Sequence, residues 1–179
     1  MKKVSLPIFL SRPGINDEDI SNVVEVLRSG NLVQGEKVLE LEEKISLYVN
    51  SKKCSVVSNG TASLHLALIA LGVGPGDEVI IPAFSYIATG NVVEIVGAKP
   101  IFIDIDLDTF NIDAGKIESK ITKNTKCIMP VHEFGLCASM EEIMRISKKH
   151  NIPVIEDAAC ALGASLNGKS AGTFGEFGS

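Results

Sequence analysis

The residues with the most chemical promise lie in Pro153-Val154-Ile155-Glu156-Asp157-Ala158-Ala159-Cys160. A short apolar run, Pro153 to Ile155, leads into two carboxylates and then into small side chains. In an open α/β sheet, ligands sit just beyond the carboxyl ends of parallel strands. Asp157 at such an end, followed by Ala158 and Ala159, leaves room for a flat guest against the backbone. A buried carboxylate needs a cation or hydrogen-bond donors, and a ligand can supply them. The other reading is local: Asp157 caps a following turn.

Two further segments follow expected strands. Ser58-Asn59-Gly60-Thr61-Ala62 stands between a strand and a helix. Gly60 allows a tight turn. The free N–H groups of the first helical turn and the Thr61 hydroxyl make an anion site, with phosphate the natural guest. An ordinary capped helix is the alternative. The segment has neither the P-loop lysine spacing nor G-x-G-x-x-G. Pro82-Ala83-Phe84-Ser85-Tyr86 follows the next strand, and an aromatic there can stack on a planar ring or fill the core. Together the three segments offer a phosphate cradle, a stacking ring and a carboxylate. That set suits pyridoxal 5'-phosphate (PLP), with its phosphate at Gly60–Ala62, its ring on Tyr86 and its pyridinium nitrogen on Asp157.

Other candidates carry less. His132 follows the Lys126–Val131 strand and reads as a structural hydrogen-bonder; His65 and His150 are assigned to structure. Asp104, Asp106 and Asp108 resemble a calcium-loop start, but Thr109 and Gly115 occupy the positions that need glycine and glutamate, so they read as turn acids. Cys54, Cys127, Cys137 and Cys160 include no C-x-x-C pair and, with three histidines, no metal-ligand spacing.

The elements that must position these groups follow from periodicity. Asn16 caps a helix with Ile20, Val23, Val24 and Leu27 on one face, ended by Gly30. A second amphipathic helix carries Val38, Leu41, Ile45 and Tyr48; both are read as packing elements. From Cys54 on, short strands alternate with helices: strands at 54–57, 78–81, 101–103, 126–131 and 153–155, helices at 63–71, 86–96, 113–121 and from Ser139 to about His150. Ser139 with Glu142 has capping-box spacing. This alternation predicts an α/β fold with a mostly parallel sheet and helices on both faces. The 179 residues are 45% hydrophobic and 22% charged, enough for one sizeable core. A net charge of -5 leaves no basic footprint for nucleic acid, and no apolar run is long enough for a membrane span. Met1-Lys2-Lys3 precedes no signal-peptide apolar region. Free thiols suit a reducing cytosol, so a cytoplasmic location is expected.

Ser58 to Leu64, Pro82 to Tyr86, Pro130-Val131-His132-Glu133-Phe134-Gly135 and Glu156 to Ala164 occur in an order that resembles the DegT/StrS family of sugar-nucleotide aminotransferases, within the aspartate-aminotransferase (fold type I) superfamily. Ser29-Gly30, Gln34-Gly35 and Gly172-Thr173-Phe174-Gly175 match too, so the resemblance runs from about Ile8 onward. It implies a PLP-dependent transferase large domain (51–179, incomplete) behind an amino-terminal helical segment (1–50), with the smaller carboxyl-terminal domain absent. It implies a homodimer with active sites at the subunit interface. The implied reaction moves an amino group, usually from glutamate, onto a nucleotide-linked keto sugar. Gly60, Thr61 and Ala62 would hold the cofactor phosphate, Tyr86 would stack, and Asp157 would pair with the ring nitrogen. Cys160 stands where the family often has histidine or glutamine toward the ring hydroxyl. The family's Schiff-base lysine is expected just past Gly175-Glu176-Phe177-Gly178, beyond Ser179. The chain is therefore expected to be the amino-terminal part of a longer enzyme and inactive by itself. Two alternatives are a PLP-dependent sugar dehydratase, with histidine at the lysine position, and a truncated homologue acting as a binding partner. Other PLP chemistry, such as sulfur removal from cysteine, is a minor one.

Overall fold

The computed structural model describes residues 12–179; the Met1-Lys2-Lys3 start and Ile8 lie outside the described residues. The chain divides into two compact units, Met1–Glu40 and Leu41–Ser179. The first contains α1 (Asp17–Ser29). Asn16 accepts the Asp19 N–H while Asp19 accepts the Asn16 N–H, a reciprocal cap, and Gly30 closes the helix at φ 74°. Helix α2 (Glu36–Val49) crosses the boundary between the units. Neither α1 nor α2 contains a fully buried residue, although both were expected to pack by their apolar faces.

The second unit alternates strand and helix. Its elements are α3 (Gly60–Ala70), β1 (Glu78–Pro82), α4 (Ala88–Ile95), β2 (Lys99–Ile103), α5 (Ala114–Ile117), β3 (Thr125–Ile128), α6 (Met140–His150), β4 (Ile155–Glu156), a small hairpin of β5 (Ser165–Leu166) and β6 (Lys169–Ser170), and β7 (Phe177–Gly178). Strand β1 pairs in parallel with β2 on one side and β3 on the other. Parallel bridges at Ile128–Val154 and Val131–Asp157 carry the sheet on to β4, which pairs in parallel with β7. The parallel order is thus β2-β1-β3-β4-β7.

Successive strand residues point to opposite faces, and the core divides accordingly. Val79, Ile81, Cys127, Met129 and Ile155 pack with Leu64 and Leu68 of α3 and Val92 and Val93 of α4. Ile80, Ile103, Ile128 and Val154 pack on the opposite face with Ile117 of α5 and Met140, Ile143 and Ile146 of α6. The expected α/β fold, helices on both faces of a mostly parallel sheet, is the observed one.

Two local expectations differ. Residues 54–57 form no strand; among the described residues no strand pairs with them, and the Val56 N–H donates to Glu42 instead (2.8 Å). A strand exists only with an edge to pair against. Ser139 precedes α6 without a side-chain cap bond, its ψ of 64° lying outside the extended range of a capping residue, and Glu142 turns to Arg145 (2.7 and 3.0 Å) rather than back to the helix start. The acid run at Asp104 folds as turn acids: Asp106 accepts from the Asp108 and Thr109 amides. Leu68, fully buried between sheet and helix, tests the first core. Leu68→Ala is expected to cost about 2–5 kcal/mol, read as a lower urea midpoint at unchanged slope.

Candidate functional site

Strand β2 lies on one side of β1, and β3 and β4 lie on the other. The strand order therefore reverses between β1 and β3. Open α/β sheets bind ligands in the crevice that this reversal leaves at the strands' carboxyl ends. Three segments leave the sheet there: Ala83–Ile87 after β1, Val131–Gly135 after β3 and Asp157–Cys160 after β4.

The two acids of Glu156-Asp157 part ways because consecutive strand residues face opposite sides. Glu156 is wholly buried and saturated. Its Oε2 meets His132 Nε2 (2.9 Å) and accepts the Gly172 N–H (2.9 Å). Its Oε1 accepts the N–H groups of Phe174 (2.5 Å) and Gly175 (2.7 Å). The other nitrogen of His132, Nδ1, accepts the Ala138 N–H (3.0 Å). That acceptor role leaves the ring proton on Nε2, pointed at Glu156. His132 is thus a buried structural link, as its position suggested. Gly175 passes so close to Val154 that a Cβ would strike the Val154 carbonyl.

Asp157 faces the crevice side. Its backbone completes the sheet, with its N–H to Pro130 and its C=O from the His132 N–H (2.9 and 3.0 Å). Its Oδ2 accepts the Thr89 hydroxyl (3.0 Å) and its Oδ1 the Ala159 N–H (3.3 Å). Thr89, buried in the first turn of α4, also meets the Ser85 hydroxyl (2.8 Å). The i, i+4 spacing of Ser85 and Thr89 was the available signal for this pair. Glu133 comes in from the β3 side, 7% exposed, with Ser85 beside its carboxyl and no hydrogen-bond partner for its buried Oε1. Burial first, and then the Asp157 charge, raises this carboxyl above the ordinary glutamate range.

The α3 terminus joins the same edge through the last residue. Ser179 donates its N–H to the Glu156 carbonyl and accepts the Ala158 N–H (both 2.8 Å), while its hydroxyl reaches the Gly60 carbonyl (3.4 Å). Asn59 caps α3 by accepting the Ala62 N–H (2.8 Å), and the Ser63 N–H returns to the Asn59 carbonyl. The Ala62 amide is therefore engaged. Among the described residues, the N–H groups of Gly60 and Thr61, which precede the first intrahelical bond, and the Thr61 hydroxyl donate to no protein acceptor. Gly60 is not left-handed, and a Cβ there would enter open space. Its small size keeps the approach clear rather than permitting a turn.

Tyr86 is 79% exposed. Phe84, in contrast, joins Phe110 and Phe134 in a ring cluster with centroids 5.7 to 6.2 Å apart. Phe110 and Phe134 reach it from backbones at φ 60° and 52°, a conformation that costs a non-glycine residue about 1 kcal/mol or more. Tyr86 is the open ring of the segment after β1. Cys160 is exposed, whereas burial pushes the Cys127 thiol up to about 12.

The fold class is that of the large domain of PLP-dependent, fold type I transferases. The DegT/DnrJ/EryC1/StrS aminotransferase family profile matches residues 13–179, and the chain belongs to that family. It is 46% identical over 155 residues to the UDP-2-acetamido-2-deoxy-3-oxo-D-glucuronate aminotransferase of Pseudomonas aeruginosa, covering 87% of this chain and 43% of that protein. It is 44% identical over 166 residues to a UDP-4-amino-4-deoxy-L-arabinose–oxoglutarate aminotransferase from Shewanella sediminis, covering 93% and 43%. Among solved structures, the PLP form of Spr1654 from Streptococcus pneumoniae, assigned as a sugar aminotransferase, superposes with a TM-score of 0.91 at 37% identity. That match covers 96% of this chain and 47% of the other. The chain spans less than half the length of these relatives.

The Glu156 hub supplies a test of what holds the site's floor. Glu156→Ala leaves three backbone N–H groups and His132 without their acceptor, so a loss of roughly 3 kcal/mol or more is expected. Urea denaturation measures it, and an unchanged midpoint would show that the Gly172–Gly175 segment is held by other means.

Proposed function

We propose that this chain carries the cofactor-binding face of a PLP-dependent aminotransferase that places an amino group, taken from a donor such as glutamate, on a nucleotide-linked keto sugar. The observation that carries the reading is the surroundings of Asp157: a buried carboxylate at the strand-order reversal, oriented by Thr89, followed by the small side chains of Ala158 and Ala159, with the α3 terminus linked to the same edge through Ser179. The nucleotide-sugar aminotransferases among its relatives point to the substrate class.

The residues present fit PLP. Asp157 lies where a carboxylate can accept the ring-nitrogen proton. Tyr86 offers an open ring face. The Gly60 and Thr61 amides with the Thr61 hydroxyl would hold the cofactor phosphate, and Cys160, an exposed thiol, stands at the sequence position that the family resemblance assigns toward the ring hydroxyl. When bound, PLP supplies an electron sink for the carbon from which a proton is removed. The chain's own part is electrostatic and geometric. Thr89 and the Ala159 N–H fix the rotamer of Asp157. The charge of Asp157 would keep the ring nitrogen protonated, because a nearby anion favours the cationic form. Tyr86 would limit the tilt of the ring by stacking on it. The α3 dipole and amides would hold the phosphate and so keep the reacting atoms in register. A second copy of the chain is proposed to complete the site across an interface.

Two substitutions in the full-length protein test these roles. Asp157→Ala is expected to leave the circular dichroism spectrum intact, weaken PLP by roughly 2–3 kcal/mol, about a hundredfold, and abolish turnover with glutamate and keto-sugar nucleotides. Wild-type turnover in that variant would remove Asp157 from the site. Tyr86→Ala is expected to weaken PLP by about 1 kcal/mol and to shift the absorbance of the bound cofactor; an unaltered spectrum would move the stacking role to another ring.

A further inference from the structure

Asparagine precedes glycine twice in the chain, at Asn59-Gly60 and Asn167-Gly168, and both pairs are exposed. In such a pair the glycine nitrogen can attack the asparagine side-chain carbonyl carbon, since glycine adds no side chain to obstruct the turn of backbone that this needs. The two pairs differ in what holds them. Asn167 and Gly168 form the tip of the β5–β6 hairpin, both at positive φ (51° and 78°), and the Asn167 Nδ2 donates to Glu141 (2.5 Å). Asn59 is extended (φ -171°, ψ 171°) and is held by its oxygen, Oδ1, which accepts the Ala62 N–H (2.8 Å). Among the described residues its Nδ2 has no partner and the Gly60 N–H has no acceptor. A Cβ at Gly60 would enter open space. At Asn59, then, the attacking nitrogen and the leaving nitrogen are both free. The carbonyl between them is polarised by the Ala62 N–H and by the positive end of α3, which also eases the loss of the Gly60 proton.

We propose that Asn59 is a site of spontaneous deamidation whose product closes the phosphate end of the site, and that a bound phosphate protects it. The Gly60 nitrogen loses its proton and bonds to the Asn59 Cγ. The Cγ–Nδ2 bond breaks, and Nδ2 leaves as ammonia with a proton returned from solvent. Water then opens the resulting ring at either carbonyl, leaving an aspartate or an isoaspartate; water is the one co-reactant and nothing is oxidised or reduced. An aspartate still offers the Ala62 N–H an acceptor, and its charge suits a helix start. The fold is therefore kept. The anion site is not: a carboxylate now stands at the Gly60 and Thr61 amides, where it repels a phosphate and competes for its donors. Isoaspartate also lengthens the main chain by one carbon just before α3. In the other direction, a phosphate that accepts the Gly60 N–H engages the attacking nitrogen, and its negative charge opposes the loss of that proton. The empty site ages and the filled site does not. The protection rests on the placement of the cofactor phosphate proposed above; the loss of the amide does not.

The test incubates the full-length protein at mildly alkaline pH, once without PLP and once loaded with it, and follows each Asn-Gly pair by peptide mass spectrometry. Asn59 is expected to convert from amide to acid in the apoprotein and several-fold more slowly in the loaded protein. Asn167, remote from the phosphate in the proposed site, is expected to convert at one rate in both and serves as an internal clock. PLP affinity of the aged apoprotein, measured by equilibrium dialysis, is expected to fall by about tenfold as Asn59 converts. Asn59→Asp is expected to show that loss at once, with a thermal midpoint equal to or above the wild type's. Asn59→Ser keeps a capping oxygen, has no amide to lose, and is expected to hold its PLP affinity through the same incubation. An intact amide at Asn59 in apoprotein whose Asn167 has converted would overturn the modification site. Equal rates at Asn59 with and without PLP, with occupancy checked by absorbance, would overturn the protection. Wild-type PLP affinity in Asn59→Asp, or a decline in Asn59→Ser that matches the wild type's, would overturn the closing of the site. If the full-length protein binds no PLP while Asn59 still converts, the cofactor reading falls and the deamidation stands.

Discussion

A buried carboxylate is tolerable only when its lone pairs are filled, and Glu156 has two oxygens engaged by four donors from two parts of the chain, His132 and the Gly172–Gly175 segment. That requirement organises the edge of the sheet. It pulls Gly172–Gly175 back onto the end of β4, orients His132, and through His132 fixes Ala138 at the approach to α6. The segment brought back continues into β7 and Ser179, whose backbone brackets Glu156 and Ala158 and whose hydroxyl touches the start of α3. Replacing such a group by an apolar one of the same shape could be neutral in energy. What it contributes is placement, because four directional bonds admit one arrangement of the loops.

Asp157, one residue on, is the contrasting case. It is nearly as buried but has fewer donors, a side-chain hydroxyl and one local amide. The difference comes from the pleat. Glu156 turns into the turn that must be held, and Asp157 turns to the crevice where the strand order reverses. One acid is used up by the fold, and its neighbour retains capacity for a cationic partner. Around it the polar groups form a thin layer: Thr89 and Ser85 from the β1 side and Glu133 from the β3 side. Beyond that layer lie rings, Tyr86 open and the Phe84, Phe110 and Phe134 cluster closed on itself.

The fold was largely legible in advance because its signals are local. Val79, Ile80 and Ile81 form an apolar run bounded by turn residues, and the helices after it repeat at helical spacing. The misreadings were those in which a local signal depends on a distant partner. Residues 54–57 have strand composition but no neighbouring edge, so the Val56 amide bonds a side chain of α2. Ser139 and Glu142 have capping spacing, but Arg145 offers Glu142 a charged, two-pronged partner that a backbone amide cannot match. Asn59 did cap α3, and in doing so engaged the Ala62 amide that had been counted toward an anion site.

By itself the sequence determined the succession of strands and helices, the segments that would emerge at the strands' carboxyl ends, and the pair of acids at the end of β4, because alternation, glycine placement and helical periodicity are written in neighbouring residues. Only the tertiary structure decided which acid serves the fold and which faces the crevice, that Thr89 reaches Asp157 across 68 residues of chain, and that Glu133 and Ser85 stand beside them. Those contacts arise where the strand order reverses, and that order depends on which edges pair, a choice made by packing on both faces of the sheet at once.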